Sequence, residues 1–370
     1  MLTSLDDSQW HQLPTTFDHV GTSDPRFFDR VWFAASDPAG TSTVHLTLGV
    51  YANMNVVDAG CVVVHDGIQH NVRSSRQLRP RHETFAGPIR VDVLEPMRRL
   101  RLTVSPGEHG ISGELIWSAV APAHEEPPHF RRRRGRVVED YTRFDQIGTC
   151  TGWLEADGQR IEVDKWWSCR DHSWGVRERV GIAEPVTGPP APRAGGLFAF
   201  LFFSTDSHAG HVQAAPGYTS AGLTDRKTQD TVDHIPVVGL QAAFSDDQRP
   251  RRMTEVTFAL GTDGGETRLR LVADRPAVAM TGLGYGGYAD GLGLGVWRGT
   301  EHLEHDRWDV SHPATVVMPD GKATRPVHRI QPVRVTARHP DGATSTGNGS
   351  LTFVAEGPLT DFGLPETAQH

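Results

Sequence analysis

The stretch Lys165-Trp166-Trp167-Ser168-Cys169-Arg170-Asp171-His172-Ser173-Trp174-Gly175-Val176-Arg177 reads as a β-strand, and that reading decides the fold. It gathers three of the nine tryptophans around Arg170, Asp171 and His172. Strand side chains alternate between faces. Trp166, Ser168, Arg170, His172 and Trp174 therefore share one face, and Trp167, Cys169, Asp171, Ser173 and Gly175 the other. A bulge near Gly175 would re-aim Asp171. Two readings compete. In one, Trp166 and Trp174 are core and Arg170 sits in a structural ion pair. In the other, His172 or Asp171 is a proton donor in an aromatic-walled cavity, tuned by burial and a charged neighbour.

Upstream, Thr149 to Leu154, a turn at Asp157-Gly158 and Gln159 to Val163 form a hairpin that delivers the chain into this strand. The same style fills the chain. Strands are expected at Thr43 to Met54, Cys61 to Val64, Ile89 to Leu94, Arg99 to Val104, Ile111 to Val120 and the apolar run 197–204. Further hairpins are expected at Met253 to Leu260 with Thr267 to Ala273, and at Val333 to Ala337 with Gly349 to Ala355. Long helical periodicity is missing, and 39 Gly and 25 Pro punctuate the whole length. The Arg-bearing strand Arg99–Val104 with Gly113-Glu114-Leu115-Ile116-Trp117 resembles Val333–Ala337 with Gly349–Phe353, as a duplicated barrel would. Residues 121–135, with Arg131 to Arg134, read as a charged linker or surface loop, and 184–196 as a second Pro/Gly loop.

A net charge of -8 argues against a nucleic-acid partner. Cys61, Cys150 and Cys169 are odd in number and widely spaced, so they frame no disulfide scaffold and point to a reducing compartment. The N-terminus lacks a secretory pattern. Leu197 to Phe203 is far shorter than the roughly 18 residues of a membrane helix. A cytoplasmic protein without stable membrane insertion is expected.

Two further clusters carry chemistry. Glu301 to Asp309 with His312 is dense in ligand-type side chains, but its HxEH spacing misses both helical zinc patterns, so no metal is expected. Glu301 and Asp306 remain possible acid or base groups at a barrel mouth. Gly282 to Gly295 contains GxGxxG, yet more glycines follow where a dinucleotide site needs a helix. It is either a flexible loop presenting Tyr285 and Tyr288 over a cavity or a plain surface loop.

The motif Trp166-Trp167-x-x-Arg170-Asp171-His172-Ser173-Trp174-Gly175, preceded by Phe130-Arg131 and Tyr141-Thr142-Arg143-Phe144-Asp145-Gln146, resembles the tandem lipocalin-like superfamily. That group holds the AttH-like proteins and the carotenoid 1,2-hydratases. Trp297-Arg298-Gly299 and Glu301 to Asp309 resemble the second domain of an actinobacterial branch of two-domain proteins. The resemblance covers about residues 25–325. It implies an all-β fold of two antiparallel lipocalin-like barrels side by side, residues 1–180 and 181–370, with the DHxWG segment near their junction. It further implies a proton-donor role for Asp171 or His172, and cation stabilisation by the Trp174 indole. Outside this motif the chain lacks the hydratase pattern.

The expectation is a cofactor-independent enzyme acting on a terpenoid- or polyene-like molecule by acid-assisted hydration, isomerisation or cyclisation. Asp171 and His172 are its catalytic candidates. Trp166, Arg170, Trp174, Tyr285, Tyr288, Trp297 and Glu301 are its substrate-binding candidates. The alternative is a non-catalytic carrier of a lipid or steroid-like ligand.

Overall fold

The computed structural model describes residues 2–133, 135–181, 196–215, 217–245, 252–285, 287–313, 315–326 and 329–356. The expected loop at 184–196 falls outside them except for Gly196, as does Gly286 of the glycine-rich stretch. The fold is all-β: two curled antiparallel sheets packed side by side.

The first sheet runs from Ile68–Gln77 through Val56–His65, Thr43–Tyr51 and Phe27–Ser36 to Gln159–Val176. It continues through Arg136–Ala156, Ile111–Ala119, Arg99–Val104 and Ile89–Glu95 to Phe85–Ala86. Phe85–Ala86 then lies against Val56–His65 and Ile68–Gln77, so the sheet rolls back toward its own beginning as a barrel. The expected hairpin at Asp157-Gly158 is the tip of a much longer one, Arg136–Ala156 with Gln159–Val176. Both turn residues have positive φ, 50° and 75°, as a two-residue mirror-image turn demands.

Inside this barrel Phe33, Leu46, Val57, Val72, Leu102, Leu115, Trp117 and Trp166 form the core. Trp32 and Ala34 of the same strand point the other way, toward the second sheet. Phe27–Ser36 is thus buried on both faces over most of its length, which is why it reads Val-Trp-Phe-Ala-Ala without polar alternation.

The second sheet has the order Thr231–Val232, Tyr218–Asp225, His208–Ala215, Gly196–Thr205, Thr344–Glu356, Arg329–Arg338, Gly265–Val272, Met253–Thr262, Val237–Phe244. Tyr218–Asp225 comes into contact with Val237–Phe244 and curls it in turn. The apolar run 197–204 explains itself here. Leu197, Ala199, Leu201 and Phe203 fill the second core, while Phe198, Phe200 and Phe202 pack toward the first sheet.

Two stretches depart from expectation. Residues 121–135 are no linker: His124–Glu125 and His129–Arg133 pair with Arg136–Ala156, and Arg131 binds Glu139 and Glu178. Glu301–Asp309 comes from the second half of the chain yet pairs with Ile68–Gln77, extending the first sheet. Its acids are used there. Asp306 accepts hydrogen bonds from Asn71 (2.7 Å) and Arg73 (2.9 Å), and Glu304 lies 2.8 Å from His302. The glycine-rich stretch is pressed onto the same sheet rather than free. A Cβ on Gly282 would come within 2.1 Å of Asn71 Oδ1.

Candidate functional site at the junction of the sheets

Strand register sets the site. On the outer face of the first barrel, Trp32, Asp171 and Asp145 form one row across three strands, and Arg30, Ser173 and Arg143 form the next. No bulge re-aims Asp171: pairing is continuous from Val176 to Trp166. The second sheet answers with Phe200, Phe202, His211 and Gln213. Trp32 and Phe202 lie 5.8 Å apart, and the Arg143 guanidinium sits 4.6 Å over the Phe200 ring. Arg143 also donates to Gln213 Oε1 at 2.8 Å.

The rest of the polar group comes from the stretch that reads as linker. Glu126, 1% exposed, accepts from Arg143 (2.7 Å) and lies 2.6 Å from His129 Nε2. His129 stacks on Tyr141 at 4.3 Å and 6°. Tyr218 of the second sheet donates to Glu126 at 3.3 Å. His124 lies 2.5 Å from Asp233 and 3.0 Å from the Thr224 hydroxyl. That chain has the connectivity of a nucleophile triad. Thr224 is fully buried and bonded to Thr231, however, so the chain ties the two sheets together.

The carboxyl groups differ sharply. Burial alone would raise Glu126, but the Arg143 charge and the hydrogen bonds it accepts hold it well below the usual carboxylate range. Asp145 is driven far upward by burial and by the Glu126 charge, which Arg143 offsets only in part. Neither of its oxygens has a hydrogen-bond partner. Asp171 is raised by burial, against the pull of Arg143, Arg30 and Arg177, and its Oδ1 is buried without a partner. His211 is pushed down to about 3 by burial and is neutral.

Glu126, Asp145 and His211 offer ligand atoms within 4.8 Å of one another, the spacing of a metal site. The surroundings oppose a dication, because Arg143 already occupies Glu126 and Arg30 and Arg177 lie nearby. A proton on Asp145 neutralises the same cluster at far lower electrostatic cost.

The sequence candidates fall into three places. Asp171 and Tyr285 reach the junction, where Tyr285 lies under the Arg30 guanidinium at 4.7 Å. Trp166, Arg170, His172 and Trp174 occupy the opposite face of the sheet. There Trp166 is core, and Arg170 donates to Gln146 (2.7 Å) above Trp117 and Phe144. His172 pairs with Asp29 at 2.7 Å, with the exposed Trp174 beside it. Tyr288, Trp297 and Glu301 stand apart from both. Tyr288 is buried and donates to the Ser74 carbonyl (3.0 Å) under Arg298; Trp297 and Glu301 are exposed. Asp171 and His172 therefore cannot act on one substrate together. The interior face offers little room: the space among Phe33, Leu46, Leu102, Leu115 and Cys150 is about 10 Å³, roughly one water.

Glu126, Arg143, Asp145, His211 and Gln213 are site residues that sequence reading misses. For Arg143 and Asp145 the signal was available, since Tyr141, Arg143 and Asp145 alternate onto one strand face. For the others only the packing of the sheets reveals it.

Among solved structures, kievitone hydratase from Nectria haematococca is similar at 8% identity and a TM-score of 0.44, covering 91% of this chain and 93% of that one. No curated protein matches in sequence. A family model does, over residues 2–364, and the chain belongs to that family, one of unknown function (DUF8625).

Proposed function

We propose that this protein is an enzyme that protonates a hydrophobic small molecule at the junction of its two sheets, leading to hydration, isomerisation or cyclisation. The observation that carries the reading is the pair of opposed carboxyl groups in one row with Trp32: Asp145 is buried, Asp171 is partly buried, and neither Asp145 oxygen nor Asp171 Oδ1 has a hydrogen-bond partner. Asp171 is the donor. A general acid works best when its pKa lies near the working pH, protonated but willing to part with the proton. Asp145 is driven much further up, and the Glu126 charge adds to the rise of Asp171 as well.

The proton passes from the Asp171 hydroxyl to an alkene carbon, leaving a carboxylate and a carbocation. The indole of Trp32 stabilises the cation. The carboxylate then takes a proton back, either from an attacking water, giving an alcohol, or from a neighbouring carbon, giving an isomer. A carrier needs an apolar interior cavity, and the filled first barrel supports that reading less.

The test is Asp171→Asn with terpenoid and polyene alkenes in deuterated water, following deuterium at carbon by mass spectrometry. Loss of incorporation with the fold intact supports the assignment. Undiminished incorporation removes it.

A further inference from the structure

Arg30 and Arg177 lie beside Asp171 and take no part in the proton transfer. Arg30 is 4% exposed, and its Nε and Nη1 are buried without any hydrogen-bond acceptor. No carboxylate among the described residues lies within ion-pair distance of Arg30 or Arg177. Both guanidinium groups rest against one ring, Phe28, at 5.7 Å and 5.1 Å. The buried Tyr51 hydroxyl belongs to the same group and interacts with Arg30.

An isolated buried charge is costly, and a guanidinium has five donors to satisfy. The cations of this cluster outnumber its anions. Arg143 has Glu126, but Arg30 and Arg177 have only Asp171 nearby, at no bonding distance. The aromatic contacts with Phe28 and Tyr285 offset part of the cost and leave Nε and Nη1 of Arg30 without acceptors, while Arg177 is partly buried.

We infer that the ligand of this junction carries an anionic oxygen, a carboxylate or ionised phenol, which Arg30 and Arg177 bind beside Asp171. This rests on the junction being the ligand site and narrows the substrate to an amphipathic molecule: an apolar unsaturated body with an acidic end. The fork of Arg30 fits a planar oxyanion. Binding also couples to catalysis. An anion on Arg30 and Arg177 cancels two of the positive charges that favour ionised Asp171, so the substrate itself keeps the acid protonated.

The experiment uses the full chain and three probe pairs: benzoate, cinnamate and geranate against their neutral amides. Thermal melts at constant ionic strength and titration calorimetry give the binding of each. At least one carboxylate is expected to bind about tenfold or more tightly than its amide, as charge-assisted hydrogen bonds imply. Arg30→Met and Arg177→Met should each abolish that preference. Arg30→Lys, which keeps the charge without the fork, should retain part of it and guards against a folding defect. Asp171→Asn should keep the preference while losing turnover. Equal binding of acid and amide in all three pairs, no binding by any carboxylate, or a preference undiminished in both Met variants overturns the inference. Absence of any preference in the wild type, with Asp171-dependent turnover intact, overturns the anion site alone. A preserved preference with Asp171→Asn still active overturns the catalytic reading alone.

Discussion

Asp145 and Asp171 stand directly opposite each other on adjacent antiparallel strands, their side chains on the same face of the sheet and both turned into the junction. Like charges so placed repel, and burial removes the water that would screen them. Both carboxyls answer that repulsion by holding protons more tightly than an exposed aspartate does. Asp171→Asn should therefore fold and lower turnover by at least about a hundredfold, the usual contribution of a positioned acid. Turnover in the wild type should also fall as pH rises through the elevated Asp171 value, since only the protonated form donates. A pH-rate profile in which activity climbs over that limb would refute the assignment.

The same protons make stability depend on pH. A carboxyl raised in the folded state stabilises fully below its unfolded value of about 3.9, and that contribution disappears as pH rises through the folded value. Asp145 and Asp171 both act in this sense. Glu126 acts oppositely, its contribution present above about 4.3 and lost as pH falls through the lowered folded value. Above the unfolded carboxyl value the two aspartates make stability decline as pH rises toward their folded values. Asp145→Asn should flatten that decline, measured as melting temperature against pH.

Arg143 joins Glu126 to Gln213 across the sheets. Arg143→Met leaves Glu126 buried without its main counter-charge and should cost about 3–5 kcal/mol in chemical denaturation. Adding Glu126→Gln to that variant should recover part of the loss. An additive double-variant cycle would show that the pair is not coupled.

His172 provides the contrast. It lies on the opposite face with a partly exposed Asp29 partner. His172→Gln should change stability by less than about 1 kcal/mol, as surface pairs do. It should leave turnover near the wild-type level, and a collapse of activity comparable to that of Asp171→Asn would move the active site to the barrel mouth.

Gly282 tests how tightly the glycine-rich stretch is seated. A Cβ there would meet Asn71 Oδ1 at 2.1 Å and Gln69 Nε2 at 2.5 Å. Gly282→Ala should destabilise by about 1–3 kcal/mol, the range for overpacking a close contact. Gly239→Ala, whose Cβ would meet only the Ala259 Cβ at 3.2 Å, is the milder control in the same melts.

Local chemistry in the chain determined the strands, their hairpins and the division of Lys165–Arg177 into two faces. Alternation and turn residues such as Asp157-Gly158 act over a few residues, so they survive without any knowledge of the partner strands. Asp171 was legible as a candidate for the same reason. Tertiary structure alone decided which face meets the second sheet, and with it the separation of Asp171 from His172. It also brought Glu126, Asp145 and His211 from three distant segments into one buried group, and sent Glu301–Asp309 back to the first sheet. Those outcomes depend on register and on sheet-to-sheet packing, where a buried charge is stabilised or stranded by residues far away in sequence.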